Sequence, residues 1–262
     1  METLKFVHRI SKGTRFNQIY IPHEMKEIFE VGDSVEVRLI EKRNTFYSSK
    51  KLELGEFKKK LSIEILNFLS QLNDVEQAFI VGSFLNSSDY GDVDILIISE
   101  KNLEGKVYSL LTERFGMKFH IIAIPKKRLE FLIKSCPLTR SMLYFFISNK
   151  KFELPKETVV DKGHIEFLLM MPKDLLEIKL ASRVFYDNLR RLIAIGWFLE
   201  NKEINPLEIN KEIKREVKEG VFSSLKNNEE LDEKAIEKLR GIIKAKIRKI
   251  EVLWERNELF KN

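Results

Sequence analysis

Val81-Gly82-Ser83-Phe84-Leu85-Asn86-Ser87-Ser88-Asp89-Tyr90-Gly91-Asp92-Val93-Asp94-Ile95-Leu96-Ile97-Ile98 is the stretch whose reading decides the fold. The apolar run Ala78 to Val81 ahead of it predicts a strand, Gly82-Ser83 a turn, and Asp92 to Ile98 a second strand. Strand side chains alternate between faces, so Asp92 and Asp94 are expected on one side with Val93 turned into the core. Two adjacent carboxylates repel unless a cation joins them, and a hard cation with oxygen ligands such as Mg²⁺ suits that pair. Gly82 and Ser83 would offer backbone N–H groups and a hydroxyl to a phosphate at the same spot.

The string of apolar strand, Gly82-Ser83, eight spacer residues, Asp92-Val93-Asp94 and a further apolar run resembles the signature of nucleotidyltransferases of the DNA polymerase β superfamily. The resemblance implies a mixed sheet with flanking helices. It also implies Mg²⁺ held by Asp92 and Asp94, NTP phosphates held by Gly82 and Ser83, and transfer of a nucleoside monophosphate to an acceptor hydroxyl. The family places a third carboxylate on the next strand, expected here over Met117 to Ile124. This chain has Lys118 and His120 there instead. In some archaeal relatives that strand reads acid, any residue, histidine, so His120 matches the histidine and Lys118 replaces the acid. An ammonium beside Asp92 and Asp94 would take over part of the charge neutralisation. His120 is read either as the base or as a structural histidine.

The 262 residues carry a formal charge of +6, but it is spread evenly. Residues 1–53 hold 10 basic and 8 acidic side chains, residues 54–155 hold 14 and 12, and residues 156–262 hold 22 and 20, so no segment is a basic arm. Cys136 is the one cysteine, which excludes an internal disulfide and a cysteine-rich metal site. No apolar run approaches the span of a membrane helix, so the expectation is a cytoplasmic protein with no membrane partner. A third of the residues are charged and glutamine occurs only at 18, 71 and 77, a balance common in proteins from hot environments.

The first 45 residues read as strands around a short helix: Leu4 to Ile10, Phe16 to Ile21, a helix from Pro22 to Glu30, and Ser34 to Ile40. Ile21-Pro22 and Val31-Gly32-Asp33-Ser34-Val35-Glu36-Val37 resemble an AbrB-type swapped-hairpin module, a dimeric DNA-binding unit of prokaryotic regulators and antitoxins. The resemblance implies a homodimer through residues 1–42, with Arg9, Lys12 and Arg15 as contacts to duplex DNA. Those three are read equally well as solvated charges on a dimerisation module.

Lys42 to Leu54 is polar and reads as a linker. An amphipathic helix follows over Glu56 to Leu72, with Lys58-Lys59-Lys60 as solvated surface. Helices are expected over Leu103 to Phe115, Lys126 to Cys136 and Leu138 to Ser148, and a short strand over Phe152 to Leu154. From Lys156 the spacing predicts long helices, one after Pro172 ending near Asn201 and one from about Glu229 to Phe260. Arg140 is read as a surface residue, with contact to a phosphate as the alternative. Arg183, Arg190 and Arg191 are either cleft-lining or simply exposed on an amphipathic helix.

The expected fold class is therefore α+β: a β-rich module over 1–45, a mixed-sheet nucleotidyltransferase core over 54–155, and a helical bundle over 156–262. Two main functions are weighed, beside a third in which an antitoxin-like transferase modifies a partner toxin. One is a Mg²⁺-dependent nucleotidyltransferase with an unassigned acceptor. The other is a catalytically weak or inactive transferase fold within a DNA-binding regulator or antitoxin.

Overall fold

The computed structural model describes residues 10–25, 27–30, 32–37, 46–49 and 52–259. Contacts divide the chain into two compact units, residues 1–43 and residues 44–262.

In the first unit, strand β1 (Ser11–Lys12) pairs antiparallel with β2 (Asn17–Gln18). The Gly13 N–H closes the hairpin on the Phe16 carbonyl at 3.0 Å. A side chain at Gly13 would meet that same oxygen, so the tight turn needs glycine. The turn therefore spans Gly13 to Phe16, and the strand expected over Phe16 to Ile21 shortens to two residues, Asn17–Gln18. After Pro22 the helix expected through Glu30 is a single 3-10 turn, His23–Met25. Residues 34–37 carry no strand, because no described neighbour pairs with them; the rest of the first and third expected strands lies outside the described residues. This unit buries no described residue fully, leaving Phe16 at 78% and Val37 at 64% exposure.

The second unit is α+β. Its elements run β3 (Tyr47–Ser48), α1 (Glu56–Leu69), β4 (Gln77–Val81), α2 (Ser83–Asn86), β5 (Val93–Ile98), α3 (Glu104–Phe115), β6 (Phe119–Ile124), α4 (Lys126–Ser135), α5 (Pro137–Met142) and β7 (Ile147–Ser148). Five helices follow: α6 (Lys162–Asp174), α7 (Ser182–Leu199), α8 (Pro206–Val217), α9 (Glu219–Asn227) and α10 (Glu233–Leu259). The five strands form one mixed sheet in the order β3-β7-β4-β5-β6, antiparallel except for the β5–β6 pair. Tyr47–Ser48 lies within the stretch expected to be linker. Ile147–Ser148 ends what reads as helix. Two-residue strands have too few positions to show a period, so neither is visible as a strand in the sequence.

Alternation along β4 and β5 divides the core. Ala78, Ile80, Ile95 and Ile97 face α1 and α3, joining Ile65, Leu66, Leu69, Val107 and Leu111. Phe79, Val81, Leu96 and Ile98 face α4 and meet Leu129, Ile133 and Phe146. Phe152, expected in a strand, lies in irregular chain but packs edge-on against Phe79 and Phe146, with ring centres 4.9 and 5.3 Å away. The ring contacts, with no ladder, fix that segment.

The helical layer has its own apolar core around α7 and α10, where Phe185, Leu189, Leu192, Phe198, Ile236, Leu239, Ile243 and Ile247 are buried. The apolar residues of α10 thus pack within the chain. Asp161 caps α6 through the His164 N–H, and Asn205 caps α8 through the Leu207 N–H ahead of Pro206. Pro172 lies inside α6 and leaves the Leu168 carbonyl without its helical donor; Arg191 Nη1 reaches that oxygen at 3.5 Å. Arg140 donates to the carbonyls of Ile133, Pro155 and Glu157, tying the segment before α6 to α4. Among the described residues no helix is long and apolar enough to cross a membrane.

Candidate functional site

The turn after β4 is set by backbone geometry. Gly82 has φ 78° and ψ −159°, a region open in practice only to glycine. Val81 pairs with Asp94 across the β4–β5 ladder, so the chain leaving Val81 passes directly over that carboxylate. A Cβ at Gly82 would lie 2.0 Å from Asp94 Oδ2 and 2.8 Å from its Cγ. The glycine is thus required twice, by its dihedral angles and by the aspartate beneath it.

Asp92 precedes β5 and Asp94 lies within it. Both line a cleft of about 900 Å³ that also takes in Gly82, Ser83, Asn86 and Tyr90 from the sheet layer. Asp94 is half-buried, with 28% of its side chain exposed, and desolvation pushes its carboxyl above the ordinary aspartate range. The His120 hydrogen bond opposes this shift, and the Asp92 charge adds to it. Asp92 has no hydrogen bond or ion pair to any described residue.

His120 is the register partner of Asp94 on the parallel strand β6, and its Nδ1 lies 2.9 Å from Asp94 Oδ1. An ionised carboxylate only accepts, so with Asp94 charged a proton is on Nδ1, and in the neutral imidazole Nε2 then carries the lone pair. The imidazole is 59% exposed. Lys118 stands just ahead of β6. Its carbonyl accepts the Val93 N–H at 3.0 Å, while its exposed ammonium makes no ion pair with a described residue. Neither Lys118 nor His120 is part of the cleft lining, although His120 is bonded to a residue that is.

Lys58 is not the solvated surface residue that its place in Lys58-Lys59-Lys60 suggests. Its Nζ donates to the carbonyls of Phe84 and Ser87 at 2.5 Å each. It also lies over the rings of Phe84 and Tyr90, 5.2 and 4.8 Å from their centres. Burial lowers its pKa. One ammonium thereby fixes the Phe84 to Tyr90 spacer that carries the chain from Ser83 to Asp92.

The opposite wall belongs to the helical layer. Arg183, Arg190 and Arg191 on α7 all line the cleft, together with Lys211 and Lys214 on α8 and Lys226 on α9. Of the two readings the sequence allows for the three arginines, the structure takes the cleft-lining one; α8 and α9 contribute lysines that sequence reasoning did not single out. Tyr186 lies beneath this group, its hydroxyl donating to Asn210 Oδ1 at 2.9 Å. The guanidiniums of Arg183 and Arg190 lie 4.9 and 5.6 Å from its ring centre.

In the first unit, Lys12 on β1 and Arg15 in the hairpin turn are both exposed. Arg9 lies outside the described residues.

The donor set suits one kind of cation site. Among the described residues no three His, Cys, Asp or Glu side chains gather as metal ligands. Mg²⁺ keeps several waters and commonly takes one or two carboxylates together with substrate phosphates, and the Asp92–Asp94 pair offers that much. The cost of burying Asp94 as an anion is the physical sign that a cation would be welcome.

Comparison with known proteins is negative: no protein-family model matches the chain, and no curated protein matches it.

Proposed function

We propose that residues 44–262 form a nucleotidyltransferase unit that moves a nucleoside monophosphate from an NTP to an acceptor hydroxyl. The observation that carries this reading is the seating of Asp94 against a glycine in a glycine-only conformation, with Asp92 beside it on the same cleft. A mixed sheet, in which β5 pairs antiparallel with β4 and parallel with β6, supports the reading.

Asp92 and Asp94 would hold Mg²⁺, which when bound supplies charge neutralisation for the triphosphate. Gly82 and Ser83 bring a backbone turn and a hydroxyl to the same wall for the phosphates. Lys58 keeps the spacer, and with it Asp92, in one geometry. In the transfer, the acceptor oxygen forms a bond to the α-phosphorus. The bond from that phosphorus to the bridging oxygen breaks, and pyrophosphate leaves with the electron pair. His120 Nε2, bare while Nδ1 is held by Asp94, is the group of this chain suited to accept the hydroxyl proton before passing it to solvent.

The test is calorimetry of NTP binding with and without Mg²⁺. Asp94→Asn is expected to abolish the Mg²⁺-dependent part while the circular dichroism spectrum stays unchanged. Lys118→Asp is expected to tighten metal binding and raise pyrophosphate release if Lys118 occupies the family's third acidic position. No metal dependence in the parent, and none gained by Lys118→Asp, refutes the enzyme.

Lys118 and His120, standing where the family places its third carboxylate, favour a second reading, in which the transferase fold is weak or inactive and serves a DNA-binding regulator or antitoxin. Here residues 1–43 would dimerise through Ile10, Phe16, Ile19, Val35 and Val37, all exposed in the single chain. Arg9, Lys12 and Arg15 would contact duplex DNA. Changing the three to alanine should lower affinity and flatten its salt dependence, since the slope scales with the phosphates neutralised; an unchanged slope removes DNA binding from this module.

A further inference from the structure

The helical wall of the cleft is lined by six cations, Arg183, Arg190, Arg191, Lys211, Lys214 and Lys226, and by one carboxylate, Asp187. Four of the six are already engaged. Arg183 lies 3.5 Å from Asp187 and donates to the Lys226 carbonyl. Arg191 reaches the Leu168 carbonyl, Lys211 pairs with Glu208, and Lys214 pairs with Glu219. Arg190 and Lys226 differ: neither side chain has a carboxylate or hydrogen-bond partner among the described residues. Arg190 is also partly buried, held only over the Tyr186 ring. A partly desolvated guanidinium without an anion is an unmet electrostatic demand, and its planar donors match phosphate geometry. The facing wall bears Asp89, Asp92 and Asp94, so the cleft opposes one wall of anions to one of cations.

We infer that the helical wall is a second anion site, separate from the Asp92–Asp94 wall, and that it seats a phosphate group carried by the acceptor. Naming the ligand as the acceptor rests on the transferase reading; the anion site itself does not. The donor phosphates have the Gly82–Ser83 turn and the carboxylate-held cation on the sheet side. The uncompensated cations stand on the other side, on α7 and α9, where a co-substrate would complete the charge balance of the cleft. Tyr186, anchored through Asn210, fixes the platform from which Arg190 projects. The volume of about 900 Å³ lies near the upper end of the about 300–1,000 Å³ typical of small-ligand pockets, which leaves room for two ligands side by side.

The experiment uses the full chain and inorganic tripolyphosphate in EDTA, where the carboxylate wall can offer no metal. Calorimetry should show the parent binding it. The Arg190→Ala/Lys226→Ala double variant should bind about tenfold more weakly or worse, having lost two charge-assisted contacts. Asp92→Asn/Asp94→Asn should bind at least as well as the parent. Should the double variant fail to fold, Lys226→Ala alone, at an exposed position on α9, is expected to weaken binding in the same direction. No binding by the parent, or binding unaffected by loss of Arg190 and Lys226, overturns the site. With Mg²⁺ present, Arg190→Ala/Lys226→Ala should retain ATP binding; loss of it would assign the cations to the donor and overturn the acceptor assignment. A parent that binds ATP without any dependence on Mg²⁺ would sink the transferase reading instead, leaving the anion site to stand or fall on the tripolyphosphate result.

Discussion

Gly82→Ala is a perturbation whose energy divides into two parts that a second substitution separates. The first part is backbone: placing alanine at φ 78° and ψ −159° costs about 1–3 kcal/mol. The second is steric. The new Cβ would fall 2.0 Å from Asp94 Oδ2, 2.8 Å from Cγ and 3.1 Å from Cβ, so rotation of the carboxylate tip alone does not clear it. Asp94 must turn away and release its 2.9 Å bond to His120. That bond is partly solvent-exposed, so its loss is taken near the lower end of the range for a charged group, about 1–1.5 kcal/mol. Together the expected destabilisation is about 2–4 kcal/mol.

Urea unfolding followed by circular dichroism, with tryptophan fluorescence as the check for coincident transitions, measures it. In an Asp94→Ala background the Oδ2 and Cγ contacts are gone and only the Cβ approach remains, which a shift of a few tenths of an ångström relieves. Gly82→Ala should there cost only its backbone part. The two substitutions should be less than additive by about 1 kcal/mol or more, outside the roughly 0.3–0.5 kcal/mol expected of independent sites. Additivity within that margin would mean that the glycine does not pack on the aspartate, and the stated reason for the Gly-Ser turn would fall. Gly82→Ala should also weaken Mg²⁺-dependent NTP binding without changing any charge.

Asp94→Asn should raise the thermal stability of the metal-free protein at neutral pH. Burial raises the folded-state pKa of Asp94, so its ionisation works against folding; that penalty is complete above the folded pKa and vanishes as pH falls below the unfolded one. Melting curves in EDTA across acid to neutral pH should therefore show parent and variant converging toward low pH, and a variant less stable than the parent at pH 7 contradicts the assignment. Lys58→Met keeps the aliphatic stem but strips the donor from two carbonyls, an expected loss of about 1–3 kcal/mol with faster amide exchange over residues 84–91; Lys59→Met and Lys60→Met should stay within about 0.5 kcal/mol. Light scattering should give a dimer mass for the full chain and a monomer mass once residues 1–43 are removed, and an unchanged oligomeric state after removal rules out dimerisation through that unit.

What the sequence made legible follows a physical boundary. Gly82, Asp92 and Asp94 are brought together at one end of two paired strands, and strand period plus a turn glycine are local signals. His120 follows from one further step, the register of a parallel neighbour. Lys58 was out of reach because it is one of three consecutive lysines, and only the arrival of the Phe84 and Ser87 carbonyls, 26 and 29 residues away, distinguishes it. Arg183 and Arg190 stand seven residues apart, which puts them on one helix face, but a helix does not say what its polar face looks at. The N-terminal strands fall short because a strand exists only with a neighbour, and residues 34–37 have none described. Residue type nominated the candidates, whereas folding sorted them by whether their charge found a partner. Arg140 spends its guanidinium on three carbonyls and Lys246 is held between Glu212 and Glu216, so both are satisfied by the protein itself. Asp92 on one wall and Arg190 and Lys226 on the other end without partners among the described residues, all on the same cleft. Gathered on facing walls of one cleft, these unmatched charges suit a cation on one side and an anion on the other.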